Sequence, residues 1–239
     1  MDADYGQRYR DLYEHHWWWR AREGFVTRVI AGRAPDGGYG PILDVGCGDG
    51  LFLDGLDRFG AAQGLEADGA LVSPERAGRI HVGPLDHSFT PEERFGLITM
   101  LDVLEHIPDD AAALARAREV IAEDGLLVIT VPAYQALWTH HDTLNHHHRR
   151  YTRAALAETL TGAGFTVLDA RYFFHWTVLP KLAVRALEAV RGTDDAGEQV
   201  PAAPVNAALR WLSEVEQRTW GHLPLPGSSL LTVARPTQG

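Results

Sequence analysis

Apolar residues along this chain fall into short consecutive runs separated by stretches of helical spacing. Strands are predicted for Ile42 to Val45, Gln63 to Glu66, Arg79 to Val82, Phe95 to Met100, Leu126 to Val131, Phe165 to Tyr172 and Ser228 to Ala234. Helices are predicted after Gly50, over Ala111 to Ala122, for about ten residues after Thr152, over His175 to Arg191 and over Val205 to Trp220. Asp109 and Asp110 suit the start of the Ala111 helix, because carboxylates satisfy its free amides. Strands alternating with helices imply an α/β fold, with a mostly parallel sheet covered on both faces.

Three stretches depart from this rhythm. Tyr5 to Ile30 is expected to be a helical cap with an apolar face of Phe25, Val29 and Ile30, and it carries Trp17, Trp18, Trp19, Arg20 and Arg22. Three consecutive tryptophans cannot share one helix face, so at least one is expected at a cleft. Ala133 to Tyr151 is a long loop rich in histidine and arginine. About fifty residues separate the last two strands, too many for a hairpin, so a helical insertion is expected there. The chain is read as one unit: a cap over 1–40, a core over 41–174, the insertion over 175–227 with a polar linker at Gly192 to Pro204, and a last strand in 228–239.

Composition narrows the functional classes. The 239 residues, 45% hydrophobic and 23% charged, suit a single globular domain with an elaboration. A net charge of −10 argues against nucleic acid as partner, and the single cysteine, Cys47, fits a reducing compartment. No signal-peptide pattern opens the sequence, and no uncharged apolar run approaches the roughly 20 residues of a membrane span. A cytoplasmic protein without stable membrane insertion is expected.

Candidate chemistry starts at Ile42 to Leu53, where a buried strand ends in Gly46-Cys47-Gly48-Asp49-Gly50 and a helix begins. Glycines at alternate positions permit a sharp turn and close approach of a ligand to the backbone. A dinucleotide turn needs a third small residue where Leu51 stands, and a phosphate loop needs a lysine that is absent here. Asp44 and Asp49 would each repel a pyrophosphate by about 1–4 kcal/mol in a partly wet site, but they suit a cationic ligand. Glu66, about twenty residues on at a strand end, can accept two hydrogen bonds from a ribose diol. A ribose, a close backbone and no pyrophosphate point to S-adenosylmethionine (SAM).

Residues 42 to about 172 resemble a class I SAM-dependent methyltransferase of the UbiE/UbiG-like group (methyltransferase type 11/12). The resemblance rests on Ile-Leu-Asp-Val-Gly-Cys-Gly-Asp-Gly (42–50), Gly-Leu-Glu (64–66), Asp-Val-Leu-Glu-His-Ile-Pro-Asp (102–109) and Gly-Leu-Leu-Val-Ile-Thr-Val-Pro (125–132). It implies a Rossmann-like seven-stranded sheet with the last strand antiparallel, in agreement with the strands above. It also implies that Asp44, Gly46, Cys47 and Gly48 border the methionine part of SAM, that Glu66 holds the ribose and that Ala67 lies near the adenine. Leu101, Asp102 and Val103 would line the cofactor with His106 close behind. Asp86 is the candidate for the adenine amino group, although Gly83-Pro84-Leu85-Asp86 departs from the common Gly-Asp spacing. Trp-Trp-Trp-Arg (17–20) resembles segments that close over SAM, which makes Arg20 the candidate partner of its carboxylate.

Methyl transfer to O–H or N–H needs a base, and histidine titrates in the right range. Trp-Thr-His-His-Asp (138–142) and His-His-His-Arg-Arg-Tyr (146–151) resemble a segment recurring in a subset of these enzymes. His141 with Asp142 as its orienter, or His146, is the expected base. Competing readings are ion pairs that only pin the loop, histidines that are merely solvated, and a metal site. No metal ligand is assigned, because adjacent histidines rarely converge on one ion and no His-x-x-x-His pattern is present. The insertion, with Lys181, Arg185 and Arg191 on an apolar helix, is expected to roof a pocket or form a dimer surface. The expected acceptor is a small, partly hydrophobic metabolite. An alternative from another class is an enzyme that keeps SAM for cyclisation, decarboxylation or elimination.

Overall fold

In the computed structural model, which describes residues 3–191, 199–221 and 223–238, seven strands form one sheet of order β3-β2-β1-β4-β5-β7-β6. They are β1 (Gly40–Val45), β2 (Gly60–Glu66), β3 (Ile80–Val82), β4 (Phe95–Leu101), β5 (Ile121–Pro132), β6 (Phe165–Phe173) and β7 (Ser229–Pro236). Neighbours from β3 to β5 pair in parallel, and β7 runs antiparallel between β5 and β6. The seven predicted strands are therefore all present. Both faces of the sheet are apolar because alternate side chains feed two separate cores. Leu43, Val45, Ile98, Met100, Leu127 and Ile129 face one core, and Ile42, Leu97, Val128 and Val233 face the other.

Helices α4 (Asp110–Val120) and α6 (Arg153–Gly162) cover the first face. Asp109 caps α4 through a bond from the Ala112 amide (2.9 Å), and Thr152 caps α6 through the Ala155 amide. The second face is covered by the N-terminal segment, which breaks at His16 into α1 (Ala3–His15) and α2 (Trp17–Ala31). His16 has extended dihedrals, and its ring nitrogen accepts the Trp18 amide, so it caps α2 where one continuous helix is expected. After the glycine turn, α3 (Leu53–Leu56) is only one turn long. The Ala111 helix ends earlier than expected because Ile121 already pairs with Phe95 in the sheet.

The insertion holds α7 (Val178–Arg191) and α8 (Ala203–Thr219); the predicted linker lies outside the described residues as far as 198. Helix α8 packs on α2, where Gln217 donates to the Ala21 carbonyl. Helix α7 reaches the cavity through Glu188, but its apolar face is turned away from it. Its polar side faces the protein, with Arg185 donating to the Ala136 carbonyl and Glu188 accepting the His140 amide (3.2 Å). Leu179, Leu182, Leu187 and Val190 are turned to solvent. No helix among the described residues is long and apolar enough to cross a membrane.

Candidate active site

The carboxyl ends of β1, β2 and β4 converge on a cavity of about 980 Å³, closed from above by α1, α2 and the loop after β5. This is where an open parallel sheet leaves its strand ends and helix starts free for a ligand. The glycine turn following β1 forms one wall. Gly46 and Gly48 have φ of +66° and +57°, and a Cβ on Gly46 would stand 2.4 Å from Val103 Cγ2. A side chain there is excluded by backbone and by packing at once. The Cys47 thiol is buried, and burial raises its pKa, so it offers shape rather than reactivity.

Two carboxylates stand beside this turn. Asp44 accepts the Thr99 hydroxyl at 2.6 Å. Burial pushes its pKa up to about 6, against the opposing effects of Thr99 and Arg22. Glu66 ends β2 and uses both oxygens, accepting the Gly48 amide at 2.8 Å and the Asp68 amide at 2.9 Å. Asp49 fastens the turn from outside, pairing with Arg10 of α1 at 2.7 Å and accepting the Ser73 amide.

Asp102, the first residue after β4, has φ of +55°, a conformation costly for a non-glycine residue and held by its surroundings. Its carboxylate accepts the Thr130 hydroxyl (3.0 Å) and pairs with Arg22, whose guanidinium also reaches the Leu101 carbonyl. Arg22 is buried with its charge 4.6 Å from the Trp19 ring centroid and 5.0 Å from that of Trp18. The tryptophan triplet thus splits: Trp18 and Trp19 bracket Arg22, Trp19 lines the cavity, and Trp17 packs on Phe174 and Trp176.

Asp44, Gly46, Cys47, Gly48, Glu66, Ala67, Asp86, Leu101, Asp102, Val103 and His106 all line the cavity. Asp86 lies at its exposed edge, where it accepts the Ser88 amide and hydroxyl, and those bonds lower its pKa. Arg20 is the exception. It pairs with Glu23 at 2.7 Å outside the lining, and the arginine facing the cavity is Arg22. The sequence carried a signal for this: Arg22 shares the helical stripe of Ala21, Phe25, Val26 and Val29, whereas Arg20 does not.

The loop after β5 departs further from expectation. Its short helix α5 (His140–Leu144) brings His140, His141, Leu144 and Asn145 to the cavity. Asp142 points the other way, fully buried, and does not orient His141. It accepts Arg150 through two bonds of 2.8 Å, His147 Nδ1 at 2.8 Å and the Thr139 amide at 2.9 Å. Burial alone would raise its pKa, but His147 and Arg150 hold it well below the usual carboxylate range. Asp142 is the structural anchor of the loop. His146 is exposed and absent from the lining, with φ of +56° that reverses the chain and turns His147 inward. There the His147 ring meets His106 edge-on at 4.6 Å. Burial, then repulsion by His147, lowers the His106 pKa to about 4, while burial and Asp102 raise that of Glu105.

Comparison with known proteins gives a consistent result. A family model described as a methyltransferase domain matches residues 12–170. A probable SAM-dependent methyltransferase of Mycolicibacterium smegmatis is 30% identical over 184 residues, which is 73% of this chain and 69% of that protein. A ubiquinone biosynthesis O-methyltransferase of Glaesserella parasuis is 31% identical over 103 residues; the match spans 37% of this chain and 44% of that relative's length. Among solved structures, a TehB-like SAM-dependent methyltransferase of Corynebacterium glutamicum superposes with a TM-score of 0.57 at 19% identity, covering 98% and 97% of the two chains.

Proposed function

The chain belongs to the SAM-dependent methyltransferase family, and from that premise we propose methyl transfer to an oxygen of a small, partly apolar acceptor. The observation that carries this reading is one continuous cavity running from Glu66 and Asp44 to His141 and Leu144. Its volume is at the upper end of the ~300–1,000 Å³ typical of ligand pockets, room for a cofactor and a second molecule. The donor set fits SAM: a buried carboxylate for a cation, an acid at the ribose position, and no basic loop for a pyrophosphate. Leu12, Trp19, Leu85, Ile107 and Leu144 in the lining favour an apolar portion in the acceptor. The name of the Glaesserella relative favours oxygen.

When bound, SAM supplies an activated methyl carbon; the acceptor oxygen bonds to it as the carbon–sulfur bond breaks, and S-adenosylhomocysteine remains. The chain's own contribution is to position the reactants, exclude water and remove the acceptor proton. His141, on α5 at the cavity wall, is the residue proposed to take that proton. His141→Ala is expected to lower turnover about 10²- to 10⁴-fold at nearly unchanged SAM affinity, the usual range for a lost general base. Full activity would move the base elsewhere. Formation of S-adenosylhomocysteine in step with product, across a panel of phenols, carboxylic acids and amines, tests the reaction class. Turnover without S-adenosylhomocysteine would point to the cyclisation or elimination alternative.

Asp44 gives the site a pH dependence with a definite sign. Below about pH 6 its carboxyl is protonated in the ligand-free fold and presents no charge to a cation. SAM affinity is therefore expected to rise between pH 5 and about 7, with proton release on binding near pH 6. Calorimetry in buffers of different ionisation enthalpy reads both quantities. A flat affinity with no proton release would remove Asp44 as the cation's partner. The same raised pKa means that Asp44 reduces the stability of the free fold as pH climbs from about 4.

A further inference from the structure

Glu105, His106 and His147 meet beside the cavity, and the methyl-transfer reading gives Glu105 and His147 no role. Each of the three offers one ligand atom, and these atoms lie within 4.8 Å of one another. Glu105 is 1% exposed, and neither carboxylate oxygen has a hydrogen-bond partner among the described residues. A buried carboxylate is normally supplied with donors or a cation, so this one is built for a partner of positive charge. His147 Nδ1 stands 2.8 Å from Asp142, an acceptor, so a ring carrying its proton on Nδ1 presents Nε2 to a metal. A carboxylate behind a histidine in this way is the usual support of a metal-bound imidazole. The two segments are also tied together, since the His148 amide donates to the Glu105 carbonyl at 2.8 Å and Arg149 pairs with Asp110 at 2.8 Å.

We infer that Glu105, His106 and His147 form a binding site for a divalent transition-metal ion. Two imidazoles and one carboxylate are the donor set of zinc and non-haem iron centres that keep open positions, whereas Mg²⁺ prefers oxygen ligands throughout. Metal bonds of about 2.0–2.2 Å put ligand atoms about 3.4 Å apart, so small side-chain rotations close the site. The consecutive histidines of the loop do not by themselves converge on one ion. The second element, Glu105–His106 after β4, supplies what the loop lacks. Through His106 the site opens on the cavity. On the acceptor reading above, the ion's open positions would take the acceptor oxygen and favour loss of its proton to His141 or solvent.

The test uses Zn²⁺ and Co²⁺ with the full chain stripped by chelator, in the absence of any acceptor, so that metal binding and the identity of the reaction are judged separately. Calorimetry is expected to give one Zn²⁺ per chain, and Co²⁺ to give visible d–d absorption. His147→Ala and Glu105→Gln should each weaken Zn²⁺ binding at least tenfold and abolish the Co²⁺ bands, while His15→Ala on α1 leaves both unchanged. S-adenosylhomocysteine binding and circular dichroism establish that the variants are folded; should Glu105→Gln fail to fold, the half-buried His147→Ala carries the comparison. Zn²⁺ binding equal in the parent and in folded His147→Ala overturns the inference, as does the absence of stoichiometric binding by the parent. Either result leaves methyl transfer to be decided by its own assay.

Discussion

Glu66→Ala is expected to weaken SAM binding by about 1–3 kcal/mol, roughly 5- to 150-fold. In the free protein its two oxygens hold the amides of Gly48 and Asp68, so the residue shapes the glycine turn as well as offering an acceptor to a ribose. Removing it strands two backbone donors in a buried wall and takes away the diol's partner. Glu66→Gln keeps one acceptor oxygen and should lose less. Calorimetry with S-adenosylhomocysteine, far below the melting temperature of each variant, separates affinity from the accompanying loss of stability. Parent-like affinity in both variants would remove the ribose assignment.

The parts of this site legible in the sequence are those fixed by local backbone geometry. The Gly46–Gly50 turn, Glu66 at the end of β2 and Asp102 after β4 lie at strand ends, and parallel strand ends cluster on one edge of a sheet. Position along the chain was enough to bring them together. Arg22 required more. Its stripe with Phe25 and Val29 marks it as inward-facing, but an arginine faces solvent by default, and the tryptophan motif points to Arg20 instead.

The loop and the insertion were less legible for a different reason. Asp142 and Arg150 stand eight positions apart, and only the reversal at His146 and the single turn of α5 bring them into a bidentate pair. No periodicity encodes such a path. In α7, spacing identifies an apolar face but not its direction. Arg185 and Glu188 found backbone partners in the loop after β5, which turned the leucines outward. That segment also lies beyond residues 12–170 of the family match, so the resemblance could not have oriented it.

The largest loss of stability is expected at Asp142, the residue whose sequence-based role changed most. Arg150 is buried, and removing its carboxylate leaves a guanidinium without its counter-charge, which typically costs about 3–5 kcal/mol. The Thr139 amide and His147 lose their partner at the same time. Asp142→Ala should therefore unfold at markedly lower urea concentration, with Asp142→Asn, which retains one oxygen, lying between it and the parent. Arg150→Ala should destabilise as well, and the double variant should fall short of the sum, because the second substitution removes a charge already stranded by the first. An Asp142→Ala protein as stable as the parent but without turnover would reverse this assignment. The carboxylate would then act on the reaction through His147 or His141 rather than by holding the loop.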